Sequence, residues 1–448
     1  MTEGAVGTVG PERPVAFAAR KNTARTLLPA ALLGLALVYP LLVTQLLSGE
    51  FLHPADLDAQ INVEAASSNM ANQVFWLLLF AACVAVAGMR RTPLLAHAAA
   101  LWPLFLYLAW SAATLPSAVD HHISMRRLIL QFCIVGSIWL PVAMLGSVTW
   151  VRRLVLYMLL GVILLNAAAA VAIPRTSLGY AGFFGQKNAL GAVTALGLVT
   201  FAMTFLGKSK MDRVAALIGI PVAGFLLVYS RSKTSFILGL GIPLLVYGIC
   251  FASRALRVRP GWIVGSGVVF AVLLCSIAVG SGYGYQDALK LFFHDATFTG
   301  RTEIWSFAWS NIMTKPLAGF GFNGFWGVGG GSAATTADNA FLANILQSHN
   351  GYLDILLDEG FVGLGILVCL IVVTLGHCSR LIRSNLAGGA FCLAVVLFFT
   401  LHNFEESSAF RRFEPTWVLF LVAAATVARP ARQTRAIAIR QLELARAC

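Results

Sequence analysis

Apolar runs of about twenty residues, broken by short polar or Gly- and Pro-containing segments, recur along most of this chain. A helix that crosses a bilayer needs roughly 20 predominantly apolar residues. Runs of that kind fall at about 26–47, 71–88, 97–115, 128–146, 154–173, 189–207, 214–230, 236–253, 261–280, 361–376, 386–403 and 416–428. The pattern predicts an all-α polytopic membrane protein with about twelve transmembrane helices, and an even number puts both termini on one side. Residues 1–25 form an N-terminal tail, 26–280 carry helices one to nine, and 281–360 form a large, partly helical loop. Residues 361–428 carry helices ten to twelve, and 429–448 form a C-terminal tail. The stretch 281–360 is too long for a mere connector, and long loops on a rigid scaffold are where function concentrates.

Composition agrees with a lipid-covered chain. Of the 448 residues, 58% are hydrophobic and only 11% charged, too few polar side chains to clothe a soluble domain. Residues 1–24 contain no apolar stretch, so no cleaved signal peptide is expected. The eight cysteines lie in apolar runs or on segments assigned to the cytoplasm, without zinc-ligand spacing.

The net charge of +13 changes meaning once it is placed on the topology. With the N-terminus inside, the inner segments hold 21 Lys and Arg against four acids, and the outer ones hold 11 against 15. That asymmetry is the positive-inside signal of a bacterial inner-membrane protein, so the charge predicts orientation and not nucleic-acid binding.

The outer basic residues are then the unusual ones: Arg126, Arg127, Arg175, Lys187, Arg231, Lys233, Lys290, Arg301, Lys315, Arg411 and Arg412. Any one of them is equally well explained by snorkelling to lipid phosphates. Their recurrence in loop after loop points to a shared anionic ligand. In SRSKTS (230–235), Arg231 and Lys233 sit between two spans with almost no loop, hence near the outer edge of the bilayer. An arginine fork binds phosphate oxygens in pairs, and a lysine adds a point charge. In FTGRTEIW (298–305), Gly300 allows a tight turn before Arg301, and Trp305 predicts a short helix docked on apolar surface. In GFFGQKN (182–188), Lys187 enters the next span.

His349 is the candidate base. It opens SHNGYLDILLDEGFVGLG (348–365), in which Leu353, Leu356, Gly360 and Gly363 recur at helical spacing. Ser348 reads as the N-cap, which puts His349 in the first turn, where the helix dipole disfavours imidazolium and leaves a ring able to accept a proton. The alternative is a histidine that only caps the helix. Glu359 lies about 15 Å further along the axis, and Asp354 and Asp358 point to other faces, so no carboxylate is assigned to orient His349. GFGFNG (319–324) matches a nucleotide-binding glycine pattern but lacks a strand–helix unit and is read as turns. Asp56 and Asp58 in the first outer loop offer a thin basis for a divalent metal.

Taken in order, SRSKTSF (230–236), FTGRTEIW (298–305) and HNGYLDILLDEGFVGLG (349–365), with GFFGQKN in support, resemble the bacterial O-antigen ligase and polysaccharide polymerase family, the exopolysaccharide-polymerase branch most of all. The resemblance implies a C-type glycosyltransferase fold and a glycan donor on undecaprenyl pyrophosphate. Acceptors would be a growing glycan or lipid A-core. It implies catalysis by His349 and pyrophosphate binding by Arg231 and Arg301, joined by Lys233, Lys187 and Arg411. It also implies work without a metal or other cofactor, at the periplasmic face, with inversion by direct displacement. A non-catalytic flippase of lipid-linked glycans is the competing expectation. It would carry its charges along a central cavity within the spans, where this chain gathers them at outer ends.

Overall fold

The computed structural model describes residues 13–48, 70–92, 94–280, 300–328, 342 and 345–428, with side chains from Thr26 onward except at 48, 271, 272, 275 and 278–280. Asp56, Asp58, Lys290, Asp338, much of the 281–360 stretch and most of both tails lie outside the described residues. The described chain is helical, with no strand among it.

The first span runs through α1 (Arg13–Val38), a π-helical turn at Tyr39–Val43 and a last helical stretch at Thr44–Ser48. There follow α2 (Met70–Met89), α3 (Leu94–Ala100), α4 (Trp102–Ala113), α5 (His121–Leu145) and α6 (Val148–Ala169). Next come α7 (Lys187–Thr204), α8 (Lys210–Ser230), α9 (Lys233–Ala255) and α10 (Pro260–Gly280). The later elements are α11 (Arg301–Ile312), α12 (Gly351–Ser384), α13 (Leu386–His402) and α14 (Pro415–Val427).

Each of the twelve predicted runs falls on helix, but the span count is smaller than twelve by length and composition. Among the described residues, seven helices are long and apolar enough to cross a membrane, or eight if the α3–α4 pair, bent by 80°, is one span. The bend sits at Leu101, just ahead of Pro103 in the first turn of α4, where proline starts a helix but cannot continue one. Two of the shorter members, α13 and α14, are interior. α14 has only 13 residues, about 20 Å, and every one of them is buried. α13 packs against α12, α14, α7 and α9, and α7 against α6, α8, α9 and α13. A helix enclosed by other helices meets protein on all sides, so its length need not match the lipid.

A second, smaller core holds the described part of the large loop. α11 buries Ile304, Ala308 and Ile312 against Phe325, Trp326 and Leu357. The GFGFNG segment forms turns. α12 is broken at Gly360, whose φ of +66° is open to glycine and strained for other residues. A Cβ there would collide with the Leu317 backbone, and Phe361 N–H donates to Pro316 O at 2.7 Å across the break. The break seats the loop on the helix that carries the His349 segment.

Candidate functional site

Four separate stretches meet at one end of the bundle: the start of α7, the start of α11, the turn before α12 and the 403–414 segment between α13 and α14. Arg301 begins α11 directly after Gly300, which sits at φ +80°. Its Nη1 lies 2.6 Å from Glu405 Oε2 and its Nη2 lies 3.1 Å from Glu406 Oε1. Glu406 Oε1 also accepts from Asn188 Nδ2 at 2.8 Å, and Glu406 Oε2 lies 3.1 Å from His349 Nδ1. An ionised carboxylate only accepts, so Nδ1 is the donor in this pair and Nε2 is the ring nitrogen left for another partner.

Burial alone would raise the Glu406 carboxyl, but the His349 hydrogen bond and charge, with Arg301 beside it, hold it down at about 2. Glu405, flanking the same guanidinium and more open, is pushed up by burial, with Arg301 opposing and Glu406 adding to the rise. The orienting carboxylate that local sequence did not supply is therefore Glu406, 57 residues away. A pair of adjacent acids, Glu405-Glu406, between two otherwise uncharged apolar helices is the signal that marks it in sequence.

The helix-start reading of His349 needs correction. The N-cap is Asn350, not Ser348: Asn350 Oδ1 accepts from Tyr352 N and Leu353 N at 3.0 and 3.2 Å. His349 lies one residue before the cap, at φ +53°, outside the first turn. Its neighbours are pinned on both sides. Ser348 N–H donates to Asp354 Oδ1 at 3.0 Å, Trp305 Nε1 donates to Ser348 O at 2.9 Å, and Asn350 Nδ2 donates to Phe404 O at 3.2 Å. A non-glycine residue held at positive φ by its surroundings is the kind of strain found where a side chain must be aimed.

The facing segment is equally organised. Asn403 is fully buried; its Oδ1 accepts from Ser408 N and Ala409 N at 3.0 and 2.9 Å, and its Nδ2 donates to Phe399 O at 2.7 Å. Its backbone O accepts from Gly351 N at 2.8 Å, which joins the Glu405–Glu406 segment to the His349 turn.

The other sequence-chosen cations divide. In SRSKTS, Ser230, Ser232 and Ser235 are buried while Arg231 and Lys233 are exposed. Ser232 donates to Ser235 at 2.9 Å, fixing the inner side of the turn. Arg231 caps α8 at φ +57°, and its Nη1 donates to Ser177 O at 3.2 Å. Lys187, ahead of the apolar run of α7, is held below the usual ammonium range by burial and by the charges of Lys233 and Arg231, with Glu406 pulling the other way. Lys187 thus lies within electrostatic reach of both groups, Arg231–Lys233 and Glu406.

Arg411 is engaged by the protein itself. Its Nη2 donates to Leu346 O at 3.0 Å and lies 3.3 Å from Asp354 Oδ2, so it buttresses the strand of chain leading to His349. Arg127 is likewise internal, donating to the carbonyls of Asn323, Trp326 and Gly327. Asp358 accepts from Phe325 N at 3.2 Å and Glu359 from Thr114 Oγ1 at 3.0 Å, both away from His349.

Two comparisons bear on this arrangement. A family profile described as O-Antigen ligase matches residues 217–368, a stretch that contains Arg231, Lys233, Arg301 and His349 and stops short of Glu405 and Glu406. The exopolysaccharide production protein ExoQ of Rhizobium meliloti (strain 1021) is 29% identical over 218 residues, which cover 46% of this chain and 48% of that one. The chain thus spans about half the length of the curated relative it matches. Both findings support an O-antigen ligase/polymerase-like family for this multi-pass membrane protein.

Proposed function

We propose that this protein is a glycosyltransferase of the ligase/polymerase type, moving a glycan from undecaprenyl pyrophosphate to a sugar hydroxyl at the periplasmic face. The observation that carries the reading is the His349–Glu406 pair, 3.1 Å apart, with Arg301 of α11 on the same carboxylate and Lys187 of α7 within its electrostatic reach. His349 Nε2 takes the proton of the acceptor hydroxyl as its oxygen attacks the anomeric carbon. The Nδ1–H bond to Glu406 fixes the ring and stabilises the imidazolium that forms, the same logic by which a carboxylate supports a catalytic histidine elsewhere. The anomeric C–O bond breaks with its electron pair on the departing pyrophosphate, and a single displacement inverts the anomeric centre.

Arg231, Lys233 and Lys187 supply the charge that holds that pyrophosphate. Arg301 holds the carboxylate pair in the resting protein. Glu405, 29% exposed on its side chain, is the partner a phosphate oxygen can displace from the guanidinium. Arg411 acts through Asp354 on the shape of the His349 turn. Twelve spans in a C-type glycosyltransferase arrangement, with the domain boundaries given above, remain part of this reading. So do lipid A-core or a growing glycan as acceptor and an inner-membrane location with both termini cytoplasmic. The reading needs no metal, because the cations stand where a metal would act.

The test measures donor binding and glycan transfer on the same purified full-length variant. His349→Ala is expected to keep donor binding and to lose transfer by about a hundred- to ten-thousandfold. Equal loss of both in a folded variant would make His349 a donor ligand, and loss of neither would end the catalytic assignment.

A further inference from the structure

At the far end of α9 from Lys233, about 35 Å along the helix axis, four arginines converge on one cavity. The cavity measures about 390 Å³ and is lined by Ser253, Arg254, Arg257, Val258, Arg259 and Arg383. Its walls come from two elements, the α9–α10 connection and the last turn of α12. The connection is folded: Ser253 Oγ donates to Val258 O at 2.7 Å, and Gly261 N–H donates to Ser379 Oγ on α12 at 3.0 Å. Arg257 turns the chain at φ +56°, a strained backbone for an arginine.

Among the described residues, no carboxylate lies within ion-pair distance of any of the four guanidinium groups. On the same side, Arg152 and Arg153 do meet an acid, sharing the buried Asp212 at 2.8 and 3.1 Å. Positive-inside insertion accounts for arginines at this face, but it counts charge near span ends and is met wherever on a loop the charge falls. It gives no reason for arginines of two elements to face one cavity. Large apolar side chains within three residues in sequence of the lining residues are open to the outside: Phe251 is 75% exposed, Leu256 67% and Trp262 73%. Cationic forks at headgroup depth with apolar and indole groups beside them match a phosphate carried on acyl chains.

We propose that this cavity is a binding site for a phosphate-bearing anion, filled in the membrane by the headgroup of an anionic phospholipid. The guanidinium groups take the phosphate oxygens, and Phe251, Leu256 and Trp262 lie against the acyl chains. Such a site is separate from glycan transfer and stands whatever reaction the opposite end performs.

The experiment uses the full chain, purified and delipidated, with cardiolipin, phosphatidylglycerol, phosphatidylethanolamine and inorganic pyrophosphate as separate probes, read by native mass spectrometry. The variant is Arg257→Gln with Arg383→Gln, which leaves Arg254 and Arg259 as the insertion signal, and each single substitution is measured beside it. Arg231→Ala weakens the pyrophosphate site proposed at the opposite end, so a loss caused by the double variant in that background belongs to this cavity. Anionic lipid is expected to bind the wild type and Arg231→Ala alike, with about tenfold weaker binding in the double variant. Phosphatidylethanolamine should show little difference between proteins. If pyrophosphate alone distinguishes the double variant, the site is real but its ligand is a soluble phosphate. If neither anionic lipid nor pyrophosphate binds the wild type more tightly than the double variant or both single variants, the proposal is overturned.

Discussion

His349 is aimed by two parts of the chain that do different jobs. Ser348, Asn350 and Trp305 fix its backbone at positive φ, while Glu406 fixes the ring through Nδ1. The two can be separated by substitution. Glu406→Gln keeps size and a hydrogen-bonding group but removes the charge that steadies an imidazolium, so transfer should fall roughly tenfold or more with donor binding retained. Retained transfer in that variant would leave Glu406 as a partner of Arg301 alone. The pH dependence carries its own sign. The folded-state value of Glu406, about 2, is depressed below the unfolded value of about 4.3. Its contribution to stability is therefore fully present above the unfolded value and is lost as pH falls through the folded one. The difference in melting temperature between wild type and Glu406→Gln should stay level from pH 8 to about pH 5 and shrink below about pH 4. A difference that shrank between pH 8 and 6 would contradict the depressed carboxyl.

Between elements, the contact that matters is the one joining the start of α12 to the 403–414 segment. Gly351 makes it possible: its N–H donates to Asn403 O at 2.8 Å, and a Cβ in its place would collide with the Asn403 carboxamide. Gly351→Ala should cost about 1–3 kcal/mol by overpacking and should also reduce transfer, because the forced shift lies between His349 and Glu406. Gly241→Ala on α9, where a Cβ meets nothing within 4 Å, is the control and should unfold no earlier than wild type. Equal melting of the two variants would mean the joint gives way without cost. The helices and their order were legible because apolar periodicity is local, and α11 could be placed from Gly300 and Trp305 for the same reason. The cap of α12 was misplaced because Ser348 and Asn350 are equally good capping residues. What decides between them is Asp354 and Trp305 holding Ser348, which is tertiary. The His349–Glu406 bond spans 57 residues and the whole of α12 and α13, so no window of sequence contains it. The division of the arginines was hidden in the same way: Arg411 and Arg231 read alike as outer cations until Asp354 claims one and leaves the other exposed.

Across the whole molecule, the helices sort the charged groups to two ends. α8 carries Asp212, with Arg152 and Arg153, at its start and Arg231 at its finish. α9 runs from Lys233 to Arg254, α12 from the Asp354 end to Arg383, and α7 from Lys187 to Thr204, whose hydroxyl is 3.4 Å from Arg152 Nη1. Helices of 21 and 23 residues, about 32 and 35 Å long, keep these ends a membrane's thickness apart. The His349 end thus holds Lys187, Arg231, Lys233 and Arg301, and the other end holds the arginines counted toward the positive-inside signal. The geometry ties those residues to each other but the compartment is set only by orientation, which reporter fusions read directly. Fusions within 208–213, 254–260 and 377–385 should report cytoplasm, and one near 330 should report periplasm. Because α7, α8, α9 and α12 each link one end to the other, the four results must change together. If the fusion near 330 reported cytoplasm and the other three periplasm, the packing would survive intact. The His349 end would then face the compartment without the expected acceptor, and the periplasmic transfer proposed here would fail. A mixed result, with 208–213 and 254–260 on different sides, would instead contradict the helix ends themselves, since both sites lie at the same end of adjacent, packed helices.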